Sequence, residues 1–264
     1  MPAKTVELVI QHNSMQFSDN KDHHKHDAEA VFDIAVDTGA WIVTGTESGA
    51  SADNHDLRDL LMLSAKRHGF HGFFHQYGDW VAMNGDMLRG FEHGYDGPYI
   101  QGTHGLSPSQ GAHSPRGTTW MSGVSKDSNL GLITVGAGHW LTGRSIQASK
   151  TDNDPMVKGV AKWAHKHGAG KKLVFYNADT NEHDDKIDVF QGKPLTTLAD
   201  ELNKHPKTHG INTSRGTVLD IISSFDPDHR VKGLEYKVWD DRKHKLFTDH
   251  FILHGVYSVR ELAD

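Results

Sequence analysis

The sequence predicts an α/β protein. Short apolar runs that end abruptly in turn residues read as buried strands. Between them lie amphipathic stretches with helical spacing, most closed by glycine or a residue before proline. The two kinds of segment alternate from the first residues to the last.

Thr5–Asn13 alternates, with Val6, Leu8 and Ile10 on one face, and reads as a strand ending at Asn13. Ser18–Asp27 carries His23, His24 and His26. Its interleaved acids and Lys25 favour a solvated approach to a helix over a metal-binding tract. Asp27–Thr38 is a helix with Ala28, Val31, Phe32 and Ala35 as its stripe and Gly39 as its stop. Trp41–Thr44 is a buried strand running into Gly45-Thr46-Glu47, and Asp56–His68 is a helix stopped by Gly69. Phe73–Met83 and Asp86–Arg89 flank Asn84-Gly85, the strongest short signal for a hairpin turn. Gly90–Gly117 is rich in Gly, Pro, Ser and His and reads as a long functional loop bordering a substrate groove. Strands follow at Thr118–Val124 and at Leu130–Ala137, the second leading into Gly138-His139.

Pro155–His167 is a helix stopped by Gly168, and Leu173–Tyr176 is an apolar strand. That strand stops in Asn177-Ala178-Asp179-Thr180-Asn181, which puts Asp179 and Asn181 on one face if the extended geometry continues. Leu195–Lys204 reads as a short helix ended before Pro206. Val218–Ile222, with Asp220 inside it, Leu234–Trp239 and a segment from Phe247 to Val259 are the remaining strands.

Composition narrows the function. The 264 residues carry 28 Lys and Arg against 34 Asp and Glu, a net charge of -6. Binding nucleic acid by bulk charge usually needs a basic protein, but an acidic one holding divalent cations can still act on phosphates. The chain has no cysteine, so it has no disulfide, thiolate metal site or Cys nucleophile. No apolar run approaches the ~18 residues of a membrane span. Met-Pro-Ala-Lys enters a strand at once, without the look of a signal peptide. These features suggest a cytoplasmic, single-domain protein spanning residues 1–264, with no obligate protein partner implied.

Polar residues without a packing reason stand at strand ends or inside strands: Asn13, Glu47, His139, Asp179 with Asn181, Asp220, and Asp249 with His250. A rigid sheet aims such groups into one crevice. Each also has a plainer role: a turn for Asn13 or Asp179, a helix cap for Glu47, a satisfied core ring for His139, a strand-edge pair for Asp249-His250.

In this order the residues resemble the endonuclease/exonuclease/phosphatase superfamily, the DNase I-like fold, along the whole chain. The resemblance matches Asn13 to the first-strand Asn, Glu47 to the Glu metal ligand and His139 to the later strand-end His. It matches Ala178-Asp179-Thr180-Asn181 to a Gly-Asp-x-Asn motif and Thr248-Asp249-His250 to a Ser-Asp-His motif. Asp220 matches the Asp of the preceding strand. Ala178, Thr180 and Thr248 depart from the pattern without removing a catalytic side chain.

The resemblance implies two packed mixed sheets flanked by helices, a four-layer α/β/β/α sandwich with the site at one edge. It also implies a metal-dependent phosphoesterase acting on nucleic acid or another phosphodiester, as a nuclease first. A phosphatase, a phospholipid or sphingolipid phosphodiesterase, or a silent binding member are the alternatives. Mg²⁺ or Mn²⁺ would sit on Glu47, with Asn13 and Asp249 as further ligands; hard cations choose oxygen. Asp179 would place the attacking water, Asn181 would hydrogen-bond the phosphate, and His139 would donate to a phosphate oxygen or to the leaving group. Asp249 would orient His250. Because neighbours on a strand face opposite ways, Asp220 or Asp179 is favoured as partner of one imidazole and Asp249 of the other. Arg116, Tyr95 and Tyr99 are candidates for contact with the scissile phosphate, without a motif to choose among them.

Overall fold

The computed structural model describes residues 3–12, 21–46, 55–100, 115–126, 129–140, 153–180, 190, 195–204, 208, 220–239, 246 and 250–262. Two six-stranded sheets lie face to face. The first contains β1 (Ala3–His12), β2 (Ile42–Thr46), β3 (Gly72–Gln76), β4 (Asp79–Met83), β11 (Val231–Trp239) and β12 (Ile252–Arg260), in the order β11-β12-β1-β2-β4-β3. The second contains β5 (Leu88–Ile100), β6 (Arg116–Ser125), β7 (Leu132–His139), β8 (Leu173–Asp179), β9 (Leu195–Thr197) and β10 (Asp220–Phe225), in the order β5-β6-β7-β8-β10-β9. Among the described strand pairs, only β1–β2 and β7–β8 are parallel. Helices α1 (Lys21–Thr38) and α2 (His55–Arg67) cover the first sheet, and α3 (Asp154–Gly168) covers the second. A short α4 (Leu198–Leu202) packs on β10 and β11.

Period-two alternation builds this sandwich. On β8, Leu173 and Phe175 enter the core between the sheets, while Val174, Tyr176 and Ala178 pack under α3 against Met156, Val160 and Trp163. On β2, Ile42 points between the sheets and Val43 points to Val31, Phe32 and Leu61 of the helices. Burying one such large apolar side chain contributes about 1.5–3 kcal/mol, so a one-residue slip of either strand would cost several of these at once. The four-layer α/β/β/α reading therefore holds, and each layer boundary is filled by its own apolar cluster.

Local readings change in several places. The hairpin turn is at Tyr77-Gly78, with φ of 52° and 88°, joining β3 to β4. Positive φ at both central residues is the primed turn that suits strand twist. Asn84-Gly85 instead carries the chain from the first sheet to the second, with Asn84 Oδ1 accepting from the Asp86 amide at 2.8 Å. Gly85 is needed there because a Cβ would lie 2.1 Å from the His71 ring.

The predicted loop over 90–117 is in part a strand: β5 pairs with β6 along the sheet edge, and 101–114 lie outside the described residues. Its loop-like composition has a structural cause. Register shifts at Arg89/Glu92 and Asp96/Ile100 absorb Gly90, Gly97 and Pro98, as edge strands permit. Helix α1 starts at Lys21, ahead of the expected Asp27. The expected helix from Leu195 begins instead as β9. Its helical part starts after Thr197, whose hydroxyl accepts from the Asp200 amide at 3.1 Å.

Candidate active site

The same alternation delivers polar groups to one edge of the interface between the sheets. On β7, Ile133, Val135 and Ala137 face the inter-sheet core, so His139 continues that face. On β8, Asn177 and Asp179 continue the face of Leu173 and Phe175. On β10, Asp220 shares the face of Ile222. The registers then align the ends: His139 lies opposite Asp179 in the parallel pair, and Asp220 lies opposite Asp179 in the antiparallel one.

These groups are almost sealed from solvent. His139 and His250 are each 3% exposed, Asp179 1% and Asp220 0%. His250 Nδ1 lies 3.1 Å from both oxygens of Asp220. Asp179 Oδ2 lies 3.7 Å from His139 Nε2 and 3.9 Å from His250 Nε2, beyond a direct hydrogen bond to either ring. On the other side of His139, Nδ1 meets the guanidinium of Arg116 at the start of β6. The edge is thus ordered as Arg116, His139, Asp179, His250, Asp220.

Neighbouring residues hold this order. Asn177 Nδ2 donates to Thr44 Oγ1 of β2 at 3.0 Å, tying the sheets together one turn of the pleat behind Asp179. The Trp140 amide donates to the Asp179 carbonyl at 2.9 Å, and the Trp140 indole donates to the Tyr176 hydroxyl at 2.9 Å. Burial, more than any neighbour, pushes the Tyr176 phenol well up, so it stays protonated. Gly138 is required between them, since a Cβ there would lie 2.3 Å from that hydroxyl. Thr208 joins β10 to the start of β12: its Oγ1 accepts from the Asp220 amide at 3.1 Å and its carbonyl accepts from the Phe251 amide at 2.8 Å. That bridge sets the spacing between Asp220 and His250.

Of the residues chosen from sequence, the structure brings together His139, Asp179, Asp220 and His250. It pairs His250 with Asp220, one of the two carboxylates favoured for an imidazole. Asn13, Glu47, Asn181 and Asp249 lie outside the described residues. The strands that lead to Asn13 and Glu47 end at this edge, with His12 and Thr46 paired in parallel register. Sequence reasoning missed Thr208, which no motif marks, and Asn177, which reads there as part of a turn. Arg116 was one candidate among three.

Asp179, Asp220 and His250 offer ligand atoms within 4.8 Å of one another, close enough to surround a small cation. The pairing of Asp220 with His250 Nδ1 gives two of those groups to each other. A hard divalent cation at this edge fits better on carboxylate and amide oxygens.

No protein-family model matches the chain, and no curated protein matches it. Solved structures do. An endonuclease/exonuclease/phosphatase family protein from Bacteroides thetaiotaomicron superposes with a TM-score of 0.70 at 12% identity, covering 98% of this chain and 99% of that one. TDP2 from D. rerio, complexed with a single-strand DNA product, gives 0.68 at 12% identity over 96% and 98%. A mannosyl-6-phosphatase from Bacteroides thetaiotaomicron gives 0.66 at 13% identity over 97% and 100%. The chain therefore has the DNase I-like fold found in endonuclease/exonuclease/phosphatase proteins.

Proposed function

We propose that this chain is a divalent-metal-dependent phosphoesterase that cleaves phosphodiester bonds, with a nucleic acid strand as its substrate. The observation that carries the reading is the buried run of His139, Asp179, His250 and Asp220 at one edge of a DNase I-like sandwich. Burying two imidazoles and two carboxylates costs stability even where they pair, and such clusters gather at functional sites.

In this reading Asp179 orients the attacking water. His250, its Nδ1 proton held by Asp220, presents Nε2 for proton transfer. His139 and Asn181 hydrogen-bond the phosphate oxygens. Asn13, Glu47 and Asp249 would hold Mg²⁺ or Mn²⁺. Bound there, such an ion would supply charge neutralisation at the phosphate and polarisation of the P–O bonds.

A phosphomonoester is the second reading. It is favoured by the net charge of -6 and by the likeness to the mannosyl-6-phosphatase. Among the described residues no helix is long and apolar enough to cross a membrane.

The test is turnover on single-stranded DNA, duplex DNA, RNA, a chromogenic diester and a sugar phosphate, with Mg²⁺, Mn²⁺ or EDTA. Turnover of a strand substrate that EDTA abolishes is the expected result. Turnover of the sugar phosphate alone selects the second reading. Turnover of none of them, at any metal concentration, rejects both.

A further inference from the structure

We propose that Arg116 is a positioning residue that locks His139 in the tautomer with its proton on Nε2, opposite to the tautomer that Asp220 imposes on His250. The proposal extends the reading above, because it assigns His139 the fixed role of hydrogen-bond donor.

A guanidinium has five N–H groups and no acceptor. Where Arg116 Nη1 meets His139 Nδ1, that ring nitrogen must offer its lone pair. The single proton of the neutral ring then sits on Nε2, which faces Asp179 Oδ2 at 3.7 Å. At the other ring the roles are reversed. An ionised carboxylate only accepts, so His250 Nδ1, at 3.1 Å from both Asp220 oxygens, carries the proton. Both rings are buried, so water cannot easily substitute for either partner.

Arg116 is itself held. Register places it at the opening of β6, opposite Ile100 of β5. The Tyr95 hydroxyl donates to the Pro115 carbonyl at 3.2 Å, fixing the peptide that precedes the arginine. Gly117 follows because a Cβ there would lie 2.5 Å from the same hydroxyl. Burial first, and then the nearby Asp79 carboxylate, push the Tyr95 phenol far above its ordinary value, so it remains a donor.

The experiment is ¹⁵N-histidine NMR of the full chain, without metal or substrate, with the His139 signals identified by their loss in His139→Gln. Ring nitrogens with and without a proton differ widely in shift, so the tautomer is read directly. In the parent protein His139 should show an unprotonated Nδ1 and a protonated Nε2. Arg116→Met should give a mixture of tautomers, and Arg116→Lys, which retains one donor, should restore most of the parent pattern. On an active substrate, Arg116→Met should lose about ten- to a hundredfold in kcat with little change in KM, the scale at which supporting partners act.

A parent His139 with its proton on Nδ1 overturns the proposal, even if Arg116→Met fails to fold. So does an unchanged tautomer in a folded Arg116→Met. Because the spectra need no turnover, a protein inactive on every ester would reject the phosphoesterase reading and still decide this one.

Discussion

The two imidazoles at the site edge face the same carboxylate and are backed by opposite charges. Behind His139 stands a guanidinium; behind His250 stands a carboxylate. Both rings are equally buried, and both lie within 4 Å of Asp179. What separates them is the group behind the ring, which decides which nitrogen holds the proton and so whether the ring gives or takes one. A site of near mirror-like composition thus has two chemically distinct corners.

The largest effect should come from exchanging the charge behind one ring. Asp220→Asn keeps the shape but can donate its amide to Nδ1, moving the ring proton to Nε2. Loss of the correct tautomer in comparable buried pairs costs on the order of 10⁴-fold in kcat. Turnover of Asp220→Asn within tenfold of the parent would show that Asp220 does not set the working tautomer of His250. His139→Ala should cost less, on the order of 10²-fold, because it removes a donor to charge rather than a proton-transfer group. Equal losses in His139→Ala and His250→Ala would mean that the corners do the same work.

A third variant asks whether the ion belongs to neither corner. In the proposed reading, Glu47→Gln would replace a charged oxygen ligand with a neutral one of the same size. It should weaken activation by Mg²⁺ or Mn²⁺ by at least about tenfold, from the loss of a hard anionic ligand. The tautomers of His139 and His250 should not change. An unaltered metal titration would remove Glu47 from the ligand set.

Much of this contrast follows from patterns visible along the chain, and the exceptions have physical causes. Leu173 to Asp179 reads as a buried strand because its run is continuous, and alternation places Asp179 on the inter-sheet face. His139 and Asp220 follow by the same logic. The turn at Tyr77-Gly78 does not show, because Tyr77 adopts a positive φ that its residue type disfavours. The edge strand β5 hides behind Gly94, which is there because a Cβ would lie 2.7 Å from the Trp120 ring, not because the chain turns. Arg116 and Thr208 act through partners 23 and 12 residues away in sequence, and no local spacing encodes those meetings.

The tie between the sheets should matter to both corners alike. Asn177 and Thr44 are each 1% exposed, and the 3.0 Å bond between them joins β8 to β2. Asn177→Ala leaves the Thr44 hydroxyl without this donor and opens a small void, at a cost of about 1–3 kcal/mol. Thermal unfolding should fall by several degrees, while both ring tautomers in the folded fraction stay as in the parent. A shift of one tautomer alone would show that the tie positions that corner and not the interface as a whole.

The smallest effect concerns a third buried ring. His254 lies on β12, four residues beyond His250, opposite Val9 and Lys237, and is 4% exposed. Burial first, and then the Lys237 ammonium, hold its pKa below the ordinary value of 6.5; the Glu235 carboxylate acts the other way. The folded chain therefore prefers the neutral ring, whereas the unfolded chain takes up a proton near pH 6.5. The contribution of His254 to stability is fully present above that value. It is lost as pH falls from there towards the depressed folded pKa. Urea midpoints should drop between pH 7.5 and 5.5, and His254→Gln, which cannot titrate, should show a smaller drop whatever its midpoint at pH 7.5. A His254→Gln chain with the full parental drop would assign the acid sensitivity to other groups, His167 first among them, whose ring burial also holds below its ordinary value.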